Sequence, residues 1–397
     1  MSYRIPFARR TGWPLNTNPF MARLERLKKQ GVSVLDLTES NPTRCRFQYP
    51  AGEITGAFNN DANMIYEPSA RGMLPAREAV VSYYRRKNLS VDPENIFLTS
   101  STSEGYSFLF RLLCDPGQDV LVPSPSYPLF ELLTDINDIR IVPYPLVYRE
   151  GWSVDAQALE KAVTAQSKAV IVVNPNNPTG SFLKKNELTA INRLCRERGM
   201  AFICDEVFSD YPLEDDPHRV SSLAGNTEAL TFVLNGISKN LGLPQMKIGW
   251  VLANGPERLL KAAVDRLEII VDTYLSVGTP AQNALGGWLG LQPLIQKEIT
   301  ARLQHNYAFL KEEAQAGDPA FELFVSEGGW YAILRLAAQA DESEFVQRLL
   351  EKEHVFVHPG YFFDMEGGSF IVLSLLTETS VFREGLRRIK SCKPTAI

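Results

Sequence analysis

The stretch "KAVIVVNPNNPTG", residues 168–180, runs through five consecutive apolar positions and then breaks into a loop of Asn, Pro, Thr and Gly. Four of the five, Val170 to Val173, are β-branched. Such a run reads as a strand buried on both faces, because a half-exposed strand alternates apolar and polar. The helical pattern "KKNELTAINRLCRERG" (184–199) follows, and a second apolar run sits in "MAFICDEVF" (200–208). Strand, loop, amphipathic helix, strand is the repeating unit of a parallel sheet with helices on its faces.

Outward from this unit the alternation continues. Upstream lie "LPAREAVVSYYRRKN" (74–88), "NIFLTS" (95–100), "SEGYSFLFRLLC" (103–114), "DVLVPSP" (119–125) and "YPLFELLTD" (127–135); downstream lie "LTFVLNGIS" (230–238) and "MKIGWVLA" (246–253). The expectation is an α/β fold with a large domain over 45–285. Beyond it, "LIQKEITARLQHNYAFLKEEAQ" (294–315), "GGWYAILRL" (328–336) and "GSFIVLSLL" (368–376) predict a smaller α+β domain. It is built from 286–397, with 1–44 packed on it.

Composition excludes several classes. With 45% hydrophobic and 22% charged residues over 397 positions, the chain reads as globular. A net charge of −5 with mixed signs gives no basic footprint for nucleic acid and no membrane-surface patch. "MSYRIPFARRTGWP" has no apolar signal core, and five scattered cysteines without metal spacing fit a reduced, cytoplasmic protein. His358, in "VFVHPG", reads as a strand-end residue.

In an open α/β sheet, ligands bind beyond the carboxyl ends of the strands. After "NIFLT" stand Ser100, Ser101, Thr102 and Ser103, before a helix. One hydroxyl suffices for a cap, whereas a run of them with free N–H groups also suits an anion. Tyr127 lies between prolines, able to stack on a flat ring or to fill a core. "NPNNPTG" is a turn whose Asn177 could also serve a ligand. Asp205 ends an apolar strand, either as a helix cap or opposite a cation. In "TFVLNGISKNLG" (231–242), Ser238 and Lys239 follow another apolar strand. A buried lysine amine has a depressed pKa and can form a Schiff base with an aldehyde. Phosphate, flat ring, ring nitrogen, ring oxygen and aldehyde together describe pyridoxal 5′-phosphate.

"NPNNPTG", "DEVF" and "SKNLGLPQMKIGW" in this order resemble the class I/II aminotransferases of fold type I, the aspartate aminotransferase superfamily. The likeness runs from "LDLTESNPT" (35–43) to "EGLRRI" (384–389). It implies a mostly parallel, seven-stranded-type sheet and transfer of an amino group from an amino acid or amine to a 2-oxo acid. By motif, it implies that Lys239 is the Schiff-base lysine and proton shuttle and that Asp205 pairs with the ring nitrogen. Asn177 would bind the ring oxygen and also the substrate, Tyr127 would stack, Ser101, Thr102, Ser103 and Lys247 would serve the phosphate, and Phe208 and Ser238 would also contact the cofactor. Tyr66, in "YEPSARG", would reach the partner active site of a homodimer, and Ser40 would lie near the substrate carboxylate.

Two positions depart from the pattern. Phe208 stands where relatives carry a tyrosine, with Tyr211 a candidate substitute. Val372 stands where relatives carry the carboxylate-binding arginine, so Arg335, Arg44 and Arg71 become candidates for that role. A carbon–sulfur β-lyase, a decarboxylase and a non-catalytic cofactor-binding module are the competing readings.

Overall fold

The computed structural model describes residues 6–315, 320–337 and 341–394; the first five residues of the N-terminal stretch lie outside these. The large sheet holds β1 (Ile96–Thr99), β2 (Asp119–Ser124), β3 (Arg140–Tyr148), β4 (Trp152–Val154), β5 (Ser167–Val173), β6 (Ala201–Asp205), β7 (Thr231–Gly236) and β8 (Gly249–Asn254). Their spatial order is β1-β8-β7-β6-β5-β2-β3-β4. From β7 through β3 neighbours run parallel, and β8 lies antiparallel between β7 and β1.

Among the described residues the sheet therefore has eight strands, where seven were expected. After β3 the chain turns at residues 149–151 and adds β4 as an antiparallel edge. The prolines in "RIVPYPLVY" hide β3 from pattern reading, since proline is rare inside sheets. Pro143 and Pro145 pair with β2 on one side, while β4 covers only Leu146–Tyr148 on the other. Proline is tolerated on β3 because most of that strand has an open edge.

The five-residue apolar run of β5 faces both ways. Val170 and Val172 join a core with Ile191 and Leu194 of the helix Lys185–Arg198 and with Trp250. Ile171 and Val173 join a second core with Phe108 and Leu109 of the helix Thr102–Leu113, and with Phe130, Leu267 and Val271. Strand periodicity thus places alternate residues in different cores.

A second, antiparallel sheet contains β9 (Phe321–Phe324), β10 (Tyr331–Leu336), β11 (His358–Pro359) and β12 (Phe370–Ser374), in the order β9-β10-β12-β11. The N-terminal segment is stitched to it: Leu35–Asp36 pairs with Val355–Phe356, and Ser374 N–H donates to Leu37 O at 2.7 Å. The loop before β10 locks the two sheets together. Gly329 N–H donates to Tyr211 O, and Phe182 N–H donates to Glu327. Gly180 closes "NPNNPTG" with φ +70°, and a Cβ there would lie 2.0 Å from Ser326 Oγ. Only glycine allows that approach.

Candidate active site

A cavity of about 260 Å³ opens at the carboxyl ends of β5, β6 and β7. Among its lining residues are Ser40, Ser101, Thr102, Ser103, Tyr127, Asn177, Asp205, Phe208, Ser238 and Lys239. Strand-end segments far apart in sequence converge because parallel strands all finish at the same edge.

Alternation along β6 decides which carboxylate enters. Ile203 and Asp205 face the core that holds Tyr106 and Phe130, while Cys204 and Glu206 face the opposite side. Asp205 accepts from Tyr106 Oη at 3.1 Å and from the Val207 N–H at 3.1 Å. Burial pushes its carboxyl up to about 6, against those hydrogen bonds and the Lys239 charge. Glu206 instead accepts from the Leu223 N–H at 2.6 Å and Ser222 Oγ at 2.7 Å, fastening a loop on the far side.

Lys239 lies in the single turn Ile237–Asn240 that follows β7. Burial lowers its pKa, which Asp205 partly restores. Its Nζ sits 5.0 Å from the Trp330 ring centroid and 5.9 Å from that of Phe208. The backbone beneath is pinned. Tyr211 Oη donates to the carbonyls of Lys239 (2.9 Å) and Asn240 (2.7 Å), and Asn240 Nδ2 donates to Asp210. Asp210 also pairs with Lys87 at 2.6 Å and accepts from Tyr83 at 2.9 Å. Gly236 and Gly249 let β7 and β8 close behind this turn: a Cβ on Gly236 would meet Gly249 Cα at 2.8 Å.

Ser101 caps the helix Thr102–Leu113, accepting from the Glu104 N–H, so Thr102 and Ser103 sit in the first turn facing the cavity. That end combines hydroxyls, backbone donors and the positive pole of the helix. Asn177 is buried and lines the cavity, where its side-chain N–H can donate to a ligand. A lysine of lowered pKa, a buried carboxylate, an amide donor and a hydroxyl-rich helix N-terminus fit the cofactor's aldehyde, ring nitrogen, ring oxygen and phosphate.

Other expected residues lie elsewhere. Lys247 is exposed, with φ 52°, and does not line the cavity. Tyr66 is 75% exposed and borders a separate small hollow with Ser69, Leu275 and Val277. Arg335 points to solvent, ion-paired with Glu322 over the Phe324 ring, because four residues of strand separate it from the cavity end of β10. Arg71 is held by Glu94 and Glu268, and Arg44 is exposed outside the lining. Val372 is fully buried between Ile333 and His358 in the small sheet. Tyr211 spends its hydroxyl on backbone carbonyls, so it is no substitute for the tyrosine missing at Phe208. Tyr106, Trp330 and Tyr331 were not anticipated. Tyr106 lies one helical turn beyond Thr102, a detectable spacing; the paired aromatics after Gly328-Gly329 offered a weaker signal.

The family model described as aminotransferase class I and II matches residues 56–389. Glutamate-pyruvate aminotransferase AlaA of Escherichia coli is 27% identical over 284 residues, covering 71% of this chain and 70% of that protein. Alanine aminotransferase of Mycobacterium bovis is 28% identical over 353 residues, covering 86% and 81%. In three dimensions the chain is similar to alanine aminotransferase from Pyrococcus furiosus, with TM-score 0.85, 25% identity and coverage of 94% and 95%.

Proposed function

The chain belongs to the aminotransferase class I and II family and is a pyridoxal-phosphate-dependent transaminase, and we propose that Lys239 is the residue that holds its cofactor and relays its proton. The observation that carries this is a lysine of lowered pKa in the same cavity as a buried carboxylate and a hydroxyl-lined helix N-terminus. Bound pyridoxal phosphate supplies an aldehyde that condenses with amines and a ring that can store an electron pair. Asp205 would hold a proton at the ring nitrogen, kept in position by Tyr106 and the Val207 N–H. Asn177 would bind the ring oxygen and Tyr127 would cover the ring. Ser101, Thr102, Ser103 and Ser238 would take the phosphate. The Lys239 amine, neutral more often than a surface lysine, would remove the substrate α-proton at Nζ and return it.

The proposed donor is an α-amino acid and the acceptor a 2-oxo acid. Relatives named for alanine, glutamate and pyruvate make those the first compounds to test. The proposed assembly is a homodimer in the cytoplasm. Exposed Tyr66 and Leu275, which line the hollow, and their exposed sequence neighbours Met64, Ile65 and Tyr274 support an apolar interface there. Lys247 and Tyr66 would reach phosphate only from outside the cavity lining described above, Tyr66 across that interface. The proposed domain division is 45–285 against 1–44 with 286–397. Borohydride reduction followed by peptide mapping tests the central assignment: the reduced pyridoxyl group is expected on Lys239, and its recovery on another lysine overturns the proposal.

A further inference from the structure

An α-amino acid brings a carboxylate into this cavity, and a carboxylate out of water needs partners. Among the described residues lining the cavity, Lys239 is the one cation, and the cofactor claims it. Arginines that could serve are engaged or turned away: Arg335 on Glu322, Arg71 on Glu94 and Glu268, Arg44 at the surface. Val372 offers neither charge nor donor and is sealed within the small sheet.

The N-terminal segment and the small sheet nevertheless contribute two lining side chains, and both are hydroxyls: Ser40 and Tyr331. Tyr331 begins β10. Its carbonyl accepts from Ser326 Oγ at 3.0 Å, and its ring packs edge-on near Phe208. Burial pushes the phenol up to about 12, with Ser40 tempering the shift, so it remains a donor at any working pH. Ser40 is fixed from both sides. Ser374 Oγ donates to Glu39 O at 2.7 Å, and the Asn41 N–H donates to the Glu39 carboxylate at 2.8 Å. The Ser374 bond ties Ser40 to β12, the strand that carries Val372.

We infer that Ser40 and Tyr331 determine specificity at the acid end of the substrate, two neutral hydroxyls receiving its carboxylate where no guanidinium of this chain lines the cavity. This rests on the transaminase reading of the same cavity. Neutral donors confer a property that a guanidinium does not: binding responds weakly to salt, because no ion pair is formed.

The test uses the holoenzyme and a probe that cannot react. 2-Methylalanine has no α-proton, and tert-butylamine replaces its carboxylate with a methyl group. Dissociation constants for both are read from the cofactor's visible absorption in wild type, Tyr331→Phe, Ser40→Ala and Arg335→Ala, at low and high salt. Each hydroxyl deletion is expected to weaken 2-methylalanine about 10- to 150-fold, the range for a hydrogen bond to a charged group. Tert-butylamine should be unaffected, Arg335→Ala should match wild type, and salt should change the wild-type constant less than about threefold. No binding of 2-methylalanine to wild type, steep salt dependence, unchanged binding in both hydroxyl variants, or equal weakening of both probes overturns the inference with the transaminase reading intact. Absence of a visible cofactor band in wild type would overturn that reading and this one with it.

Discussion

Asp205 is expected to cost the cofactor-free protein stability. The fold carries its carboxyl from an ordinary 3.8 to about 6, chiefly through burial. That displacement corresponds to about 3 kcal/mol of penalty on the charged form. The native carboxyl binds its proton more tightly than the unfolded one. Its contribution to stability is therefore fully present below about pH 4 and is lost as pH rises through about 6. Replacement Asp205→Asn removes the charge and keeps one acceptor for the Tyr106 hydroxyl or the Val207 N–H. It gives up about one hydrogen bond, worth about 1 kcal/mol. The cofactor-free variant should then be about 2 kcal/mol more stable than wild type at pH 8, with the gain vanishing toward pH 4. With cofactor the order should reverse, because a carboxylate facing a protonated ring nitrogen, the role proposed for Asp205, would form a charge-assisted bond that an amide cannot. Affinity should drop about 10- to 150-fold, and turnover further. Thermal unfolding of both apoproteins across this pH range, with cofactor titration followed by fluorescence, measures each part. A cofactor-free variant less stable than wild type at pH 8, or a gain equal at pH 4 and pH 8, would refute the reasoning.

Near pH 4, below the range where burial penalises its charge, Glu206→Ala should cost about 2–5 kcal/mol of stability by stranding the Leu223 N–H and the Ser222 hydroxyl while leaving cofactor affinity unchanged; equal cofactor loss in both acidic variants would mean the wrong carboxylate has been assigned. Phe208→Tyr should lower the pH at which the cofactor's visible band titrates, since a phenol beside the ring oxygen favours the deprotonated form; an unchanged or higher midpoint contradicts this. Leu275→Asp, in the hollow beside Tyr66, should shift a dimer toward monomer in sedimentation velocity, and an unaltered dimer would place the interface elsewhere.

Residues whose neighbours in sequence are also their neighbours in space were readable in advance. Asp205, Asn177 and Lys239 each follow an apolar strand directly, and parallel strands bring those ends together whatever the details of packing. Tyr331 reaches the cavity, and Trp330 packs near the Lys239 amine, because the loop before β10 is bonded to Tyr211 and Phe182, long-range contacts that no local pattern encodes. Arg335 was a candidate only because Val372 stands where relatives carry an arginine, and it lies on β10, which Tyr331 begins. At about 3.3 Å per residue, four positions carry it roughly 13 Å along the strand, out of the cavity and into solvent. β3 was hidden by Pro143 and Pro145, whose missing N–H groups matter only where a partner strand needs them.

The carbonyls of Lys239 and Asn240 are both held by Tyr211, and Asn240 is anchored through Asp210 to Lys87 and Tyr83. The base of the lysine is thus a fixed pivot, and only its four-methylene arm swings. Loop rearrangements take nanoseconds to microseconds or longer. A proton carried on this arm would be delivered by rotation of one side chain, with no backbone rearrangement to wait for.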